Sequence, residues 1–284
     1  MEIRALTREE LFSSLDLVWK VFCDYEAVNY PEDGKMAFYN AIHSEEFLNM
    51  LSAYGAFEDN AMTGIIALRN EGSHVALFFV DGCHQGRGIG KKLWETVLNE
   101  STSNIITVNS SIYAKDIYTK LGFRQKEDVQ EKDGIRFIPM EYLRFMDIIC
   151  GKDENKAYAK VKEICAESAG TDRYYTYLPV YAEMLEDKKS YSRTRAFQLC
   201  CAQARWDEKG KLLAILPRML KLFHDGKPTV VRQCLAAAYE LVLFRPELCE
   251  SIRNELISID LSKYKDSMAP LIKKDIDGLI ELDL

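Results

Sequence analysis

No two of the eight cysteines in this 284-residue chain are spaced as Cys-x-x-Cys, and none combines with histidines at a zinc-binding spacing. Apart from the adjacent Cys200–Cys201 they are scattered singly. That excludes a zinc-stapled fold and predicts reduced thiols and no metal. Long apolar runs are also missing: nothing approaches the roughly 20 residues a membrane span needs. The opening "MEIRALTREE" is too charged to read as a signal peptide. The expectation is a cytoplasmic protein that does not engage a membrane.

Positive charge is scarce in one half only. Residues 1–150 carry 15 Lys+Arg against 23 Asp+Glu, whereas residues 151–284 carry 22 against 21. The acidic half argues against a nucleic-acid surface there and suits a cationic substrate, although ordinary solubility explains it as well. The near-neutral half gives no support for nucleic-acid binding either.

What is present changes grammar near residue 150. The first half alternates helix and strand signals. "LTREELFSSLDLVWKVF" places Thr7 and Glu10 as a capping box ahead of apolar residues at helical spacing. "PEDGKMAFYNAIHSEEFLNML" reads as one broken or two short helices, with Ser44 able to cap the second. Ala53–Glu58 and Ala61–Arg69 read as a hairpin turning at Asp59-Asn60. "SHVALFFV" is apolar enough for a strand buried on both faces. A helix to about Asn99, the strand "NIITVNS", a helix ended by Gly122 and a second hairpin around Asp133-Gly134 complete an α/β half, with strands in the middle and helices on both sides.

From Gly151 the strand signals stop. Six helix-length segments follow, with apolar residues at three- and four-residue spacing. Two breaks between them look alike, "EDKKSYSRTRAF" and "HDGKPTVVRQCL", so that Asp187 recurs as Asp225 and Arg195 as Arg232. Such spacing is what stacked helix pairs produce, and the array resembles HEAT-like repeats. Two unrelated loops of a helical bundle would read the same way. Arg193, Arg195 and Arg232 suit either an anion-binding face or pairing with Asp187 and Asp225. Trp206 and the tyrosines Tyr174, Tyr175 and Tyr177 read as packing.

The segment with most to explain is "VDGCHQGRGIGKKL", where three glycines alternate at the start of a helix. A nucleotide phosphate loop needs glycine at 85 and a hydroxyl at 92, but Gln85 and Lys92 stand there. A dinucleotide fingerprint needs glycine at 91, which is Lys91. Backbone N–H groups at a helix start converge on one point, and the helix dipole favours an anion there. Gly86, Gly88 and Gly90 admit close approach of the backbone, with Arg87, Lys91 and Lys92 adding positive charge. A glycine-rich turn holding nothing is the other reading.

Gln85-x-x-Gly88-x-Gly90 after an apolar strand resembles the pyrophosphate loop of the GNAT acetyltransferases. Downstream, "ITVNSSIYAKDIYTKLGF" repeats that family's second pattern, with Asn109 closing a strand and Ala114, Tyr118, Leu121, Gly122 and Phe123 in the helix behind it. The "FCDYEAVNY" segment is similar to that of a bacterial branch. The resemblance covers about residues 1–145. It implies a GNAT domain over 1–147, followed by an all-α HEAT-like repeat domain over 151–284.

The resemblance further implies acetyl-CoA as cosubstrate. Its diphosphate would lie on the backbone of Gln85, Gly86, Arg87, Gly88, Ile89 and Gly90, near Lys91, and Asn109 is a further cofactor-binding residue. Its arm would pair with backbone near Phe79 and Val80, with the Val80 N–H on the thioester carbonyl. Tyr118 is the expected general acid. The phenol, near 10, lies about 1.5 above a thiol near 8.5, so proton transfer to the departing thiolate is uphill by about 2 kcal/mol. Glu26 is a candidate base or ammonium ligand, with Tyr25, Tyr30 and Phe38 around the acceptor. His74 and Asp81 are the only titratable groups that the strand before the loop offers as base. Cys83, a lone loop cysteine, reads as incidental. The implied function is acetylation of an amine on a small molecule or protein by direct attack. The alternative is an acetyl-CoA-binding sensor with little turnover, whose repeats bind a protein partner.

Overall fold

The computed structural model describes residues 1–282. The chain divides into two compact units, Met1–Met146 and Asp147–Leu284.

The first unit is built on one mixed sheet. In chain order its strands are β1 (Glu2–Ala5), β2 (Ser52–Glu58), β3 (Ala61–Arg69), β4 (His74–Val80), β5 (Ile106–Ser110), β6 (Arg124–Gln125), β7 (Gln130–Lys132) and β8 (Ile135–Tyr142). They lie in the order β1-β2-β3-β4-β5-β8-β6, with β7 paired to β8. Every pairing is antiparallel except β4 with β5. A parallel pair needs a crossover, and α5 (Ile89–Glu100) supplies it.

Helices α1 (Arg8–Ser13), α2 (Leu15–Tyr25), α3 (Glu32–Ile42) and α4 (Glu45–Asn49) form one layer. Val18, Phe22, Ile42 and Leu48 pack there with Ile65, Leu77 and Phe79. On the opposite face α5 and α6 (Lys115–Lys120) bury Leu93, Trp94 and Val97 against Ile66, Val75 and Ile106. The alternation along β4, buried at Val75, Leu77 and Phe79 and only half-buried between, shows a strand that is not closed over on both faces, contrary to its apolar composition.

The local chemistry explains most boundaries. Thr7 and Glu10 form the capping box. Asp59 and Asn60 take φ of 50° and 65°, the paired left-handed conformation a two-residue hairpin requires. Asp133 and Gly134 repeat it at 53° and 73°. The run from Arg8 to Tyr25 is two helices rather than one. Ser14 separates them, its hydroxyl donating to Leu11 O at 2.6 Å, a local bond that competes with the helix ladder.

The second unit, taken by itself, is helical. It contains the end of α7 (Arg144–Cys150), then α8 (Glu154–Ser168), α9 (Leu178–Met184), α10 (Ser190–Ala202), α11 (Lys211–Leu220), α12 (Pro228–Phe244), α13 (Cys249–Ile257) and α14 (Ala269–Ile280). Helix α10 packs against α8, α9 and α12, and α12 packs against α14. The repeated breaks play the same part twice: Asp187 accepts the Lys189 N–H at 2.7 Å before α10, and Asp225 accepts the Lys227 N–H at 2.9 Å before α12. The arginines are occupied within the stack. Arg193 pairs with Asp225, Arg232 with Asp275, and the buried Arg195 donates to Ile149 O. Among the described residues no helix is long and apolar enough to cross a membrane, and no cluster of side chains could hold a metal ion.

Candidate active site

The site begins with a defect in the sheet. Strands β4 and β5 pair only at His74↔Thr107 and Val75↔Val108. Ala76 is left out of the β3–β4 register, which passes from Ala67↔Leu77 to Leu68↔Val75, and a bulged strand bends. Past this point β4 and β5 no longer pair, and a wedge opens between them. Val80, at the open end, faces Gly64, and the next rung is Asp81 N–H to Thr63 O at 2.9 Å. By antiparallel alternation, the N–H and C=O of Val80 therefore point away from β3 and into the wedge. The carbonyl accepts the Gln85 side-chain amide at 3.1 Å, which ties the loop to the strand.

The loop then supplies donors. The backbone N–H groups of six consecutive residues, Gly86 to Lys91, find no acceptor among the described residues; the first bond of α5 is Lys92 N–H to Gly88 O. Gly86 and Gly88 have φ of 75° and 81°, and a Cβ on either would stand in open space, so conformation rather than crowding calls for glycine. These six unpartnered amides, at and just before the start of a twelve-residue helix, are a donor set suited to an anion. A diphosphate fits that donor set.

Two cavities meet at the wedge. One, of about 400 Å³, runs past the loop between Tyr25, Phe78, Val80, Gly88 and Ile117. The other, of about 370 Å³, lies under α3 and α4 and is floored by β4 from His74 to Phe79. Glu26, Phe78, Phe79, Ala114 and Tyr118 line both. Glu26 caps the C-terminus of α2. Burial raises its carboxyl to about 7, and a hydrogen bond from Ser111 opposes that shift only in part. Tyr118 is 7% exposed, held on α6 between the rings of Phe78 and Phe123, and its hydroxyl makes no hydrogen bond to another described residue. Burial, and then the neighbouring Glu26, push the phenol well above its ordinary range.

Residues 26–144 match the sequence model of the acetyltransferase (GNAT) domain. No curated protein matches the chain. Solved structures similar to the same half include a GCN5-related N-acetyltransferase from Rhodopseudomonas palustris, 18% identical, covering 50% of this chain and 94% of that one at a TM-score of 0.45. The PaiA N-acetyltransferase from Thermoplasma acidophilum, solved with coenzyme A, is 21% identical, with coverage of 50% and 99% and a TM-score of 0.41.

Within this GNAT-fold unit the residues singled out in the sequence separate into two groups. Phe79, Val80, Gln85, Gly86, Gly88, Ile89, Gly90 and Lys91 line the loop-side cavity. Tyr25 belongs there too, stacked on Tyr113 at 5.7 Å, rather than with the acceptor-side residues. Arg87 does not line that cavity, and its guanidinium pairs with Glu58 at 2.9 Å. Asn109, Tyr30 and Phe38 line the second cavity.

The alternative bases fall away. Asp81 is held by Lys20 and His84 and lowered to about 2 by those bonds. His74 is lowered to about 4, chiefly by burial, and bonded to Thr107 at the closed end of the wedge. Cys83 is exposed and lines neither cavity. Sequence reasoning missed Ser111 and Arg69. The first sits beside a recognisable motif; the second ends a strand with no motif at all.

A close backbone contact lies next to Tyr30 and Asp133, which line the second cavity. A Cβ on Gly34 of α3 would lie 2.6 Å from the carbonyl oxygen of Gly134 in the β7–β8 turn, while Tyr30 Oη donates to Arg136 O at 3.0 Å. Gly34→Ala must push the hairpin away at a cost of about 1–3 kcal/mol. The expected result is a lowered melting temperature and a raised KM for the acceptor, with acetyl-CoA affinity unchanged by calorimetry.

Proposed function

We propose that the first unit is an acetyl-CoA-dependent N-acetyltransferase acting on an amine by direct attack, with residues 1–147 as its domain. The observation that carries this reading is the run of six unpartnered amides opening beside a wedge at which Glu26 and Tyr118 meet. Acetyl-CoA supplies the acetyl group as a thioester. The Gly86–Lys91 amides hold its diphosphate, and Lys91 adds charge. The Val80 N–H is aimed where the thioester oxygen would gather charge, an interaction worth roughly 3–4 kcal/mol where such donors have been removed. Glu26, near neutrality, takes the proton of the bound ammonium, directly or through water. Tyr118 donates a hydrogen bond to the departing sulfur. Neither cavity is lined by a cysteine among the described residues, which favours direct transfer over a thiol acyl-enzyme.

We read residues 151–284 as a HEAT-like repeat domain that presents or selects a protein partner. Its stacked helix pairs and twice-used aspartate breaks support that reading.

Calorimetry with coenzyme A and acetyl-CoA tests the first unit directly. Binding by wild type, with affinity at least tenfold weaker in Gly88→Val, is expected, because a β-branched residue resists φ near 81°. Release of free thiol with an amine panel then separates the enzyme from a sensor that binds without turnover. No heat with either coenzyme would sink both.

A further inference from the structure

The second cavity holds a charge that the reaction does not use. Arg69 ends β3 opposite His74 and lines the cavity at its closed end. Its Nε is buried with no hydrogen-bond partner, and no ion pair or hydrogen bond to its guanidinium occurs among the described residues. Three other arginines of the unit have carboxylate partners, Arg4 with Glu10, Arg87 with Glu58 and Arg124 with Glu141. His74, across the strand pair, is held by Thr107 and stays uncharged near neutrality, so it adds no second positive charge there.

A buried donor without an acceptor is uncommon in folded proteins and costs stability, so its position in a cavity implies an acceptor brought by a ligand. Guanidinium is the side chain best matched to a carboxylate, whose two oxygens meet its fork. The same cavity is also lined by Glu26, which suits an ammonium, and by Lys132 and Asp133. The β4 stretch that floors the cavity, from Phe79 to His74, runs five steps of about 3.3 Å, or roughly 16 Å. An arginine side chain spans part of that distance.

Resting on the acetyltransferase reading, we infer that the acceptor is a zwitterion, a primary amine whose own carboxylate lies several bonds away and is held by Arg69 while the amine meets Glu26. Amino acids with a terminal side-chain amine and short extended peptides share this chemistry. A plain alkylamine lacks half of it.

The test compares 6-aminohexanoate, lysine and a dialanine peptide with pentylamine, each with wild type, Arg69→Gln and Arg69→Lys. Binding is read by calorimetry in the presence of coenzyme A, and turnover by thiol release. The carboxylated amines should bind wild type about 10- to 100-fold more tightly than pentylamine, the range a hydrogen bond to a charged group allows. Arg69→Gln should remove that preference through KM with kcat little changed, and Arg69→Lys should restore part of it. Which carboxylated amine binds best distinguishes the side-chain amine from the peptide. Equal binding of pentylamine and the carboxylated amines, or a preference that survives Arg69→Gln, would overturn the inference. Loss of coenzyme A binding or of all turnover would instead strike the acetyltransferase reading, because the Arg69-dependent binding difference is read without turnover.

Discussion

Glu26→Gln is expected to lower kcat/KM by about 10²- to 10⁴-fold, the usual range for loss of a positioned acid–base group, and at the same time to make the protein more stable above neutral pH. Both follow from one cause. The carboxyl is carried from an ordinary 4.5 to about 7 mainly by burial, with Tyr30 and Tyr118 facing it and Ser111 bonded to it. Between those two pH values the folded chain keeps a proton that the unfolded chain has released. Stability therefore falls as pH rises from 4.5 through 7, and the whole deficit is present above 7. At 1.36 kcal/mol per pH unit it amounts to at most about 3 kcal/mol, reduced by the part-exposure of the group. Glutamine fills the same space without the charge. Its melting temperature should match wild type below pH 4.5 and exceed it above pH 7. In wild type kcat/KM should rise through an apparent pKa of about 7, and that limb should vanish in the variant, leaving only the limb of the acceptor amine near 10. A variant that loses activity without gaining stability at high pH would show that Glu26 is not held in a costly ionised state.

That residue shows how the sequence informs and where it stops. Glu26 stood out only through the resemblance, because "CDYEAVNY" lies where the acceptor end of that fold forms, and no sequence pattern states that α2 ends where two cavities join. The loop was more legible. Alternating glycines before an apolar helix are a local signal, and the six free amides are their direct consequence. Hairpins were legible for the same reason, since Asp59-Asn60 and Asp133-Gly134 prescribe their own φ angles. Strands β1 and β6 carry no such signal: they are short, outermost in the sheet, and depend on β2 and β8 for their form. The α14 helix was overlooked because Lys273, Lys274, Asp275 and Asp277 dilute its apolar stripe of Ile272, Ile276 and Leu279. Arg69 and Glu26 are 43 positions apart in the chain, and only the packing of α2 over the sheet brings both to the lining of one cavity.

Tyr118→Phe should reduce kcat by about 10- to 100-fold while leaving the melting temperature within about 0.5 kcal/mol of wild type in stability terms. The stability half rests on the hydroxyl having no bond to another described residue, so its removal orphans nothing, and on the ring keeping its contacts with Phe78 and Phe123. The activity half needs more care. From the ordinary values, a phenol giving its proton to a thiolate runs about 2 kcal/mol uphill. Burial and the adjacent Glu26 raise the phenol further, so complete transfer is less favourable still. What the site favours is a phenol that stays protonated and donates a hydrogen bond as charge gathers on sulfur, in a pocket where such a bond is strong. This distinguishes two outcomes. Proton transfer predicts that the loss shrinks with acyl donors whose thiols are more acidic. It also predicts a large solvent isotope effect on kcat. Hydrogen bonding predicts a loss that follows the charge on sulfur with a small isotope effect, and it is the expected result. A fall of less than threefold would take Tyr118 out of the reaction and leave the Val80 amide as the only placed electrostatic contribution.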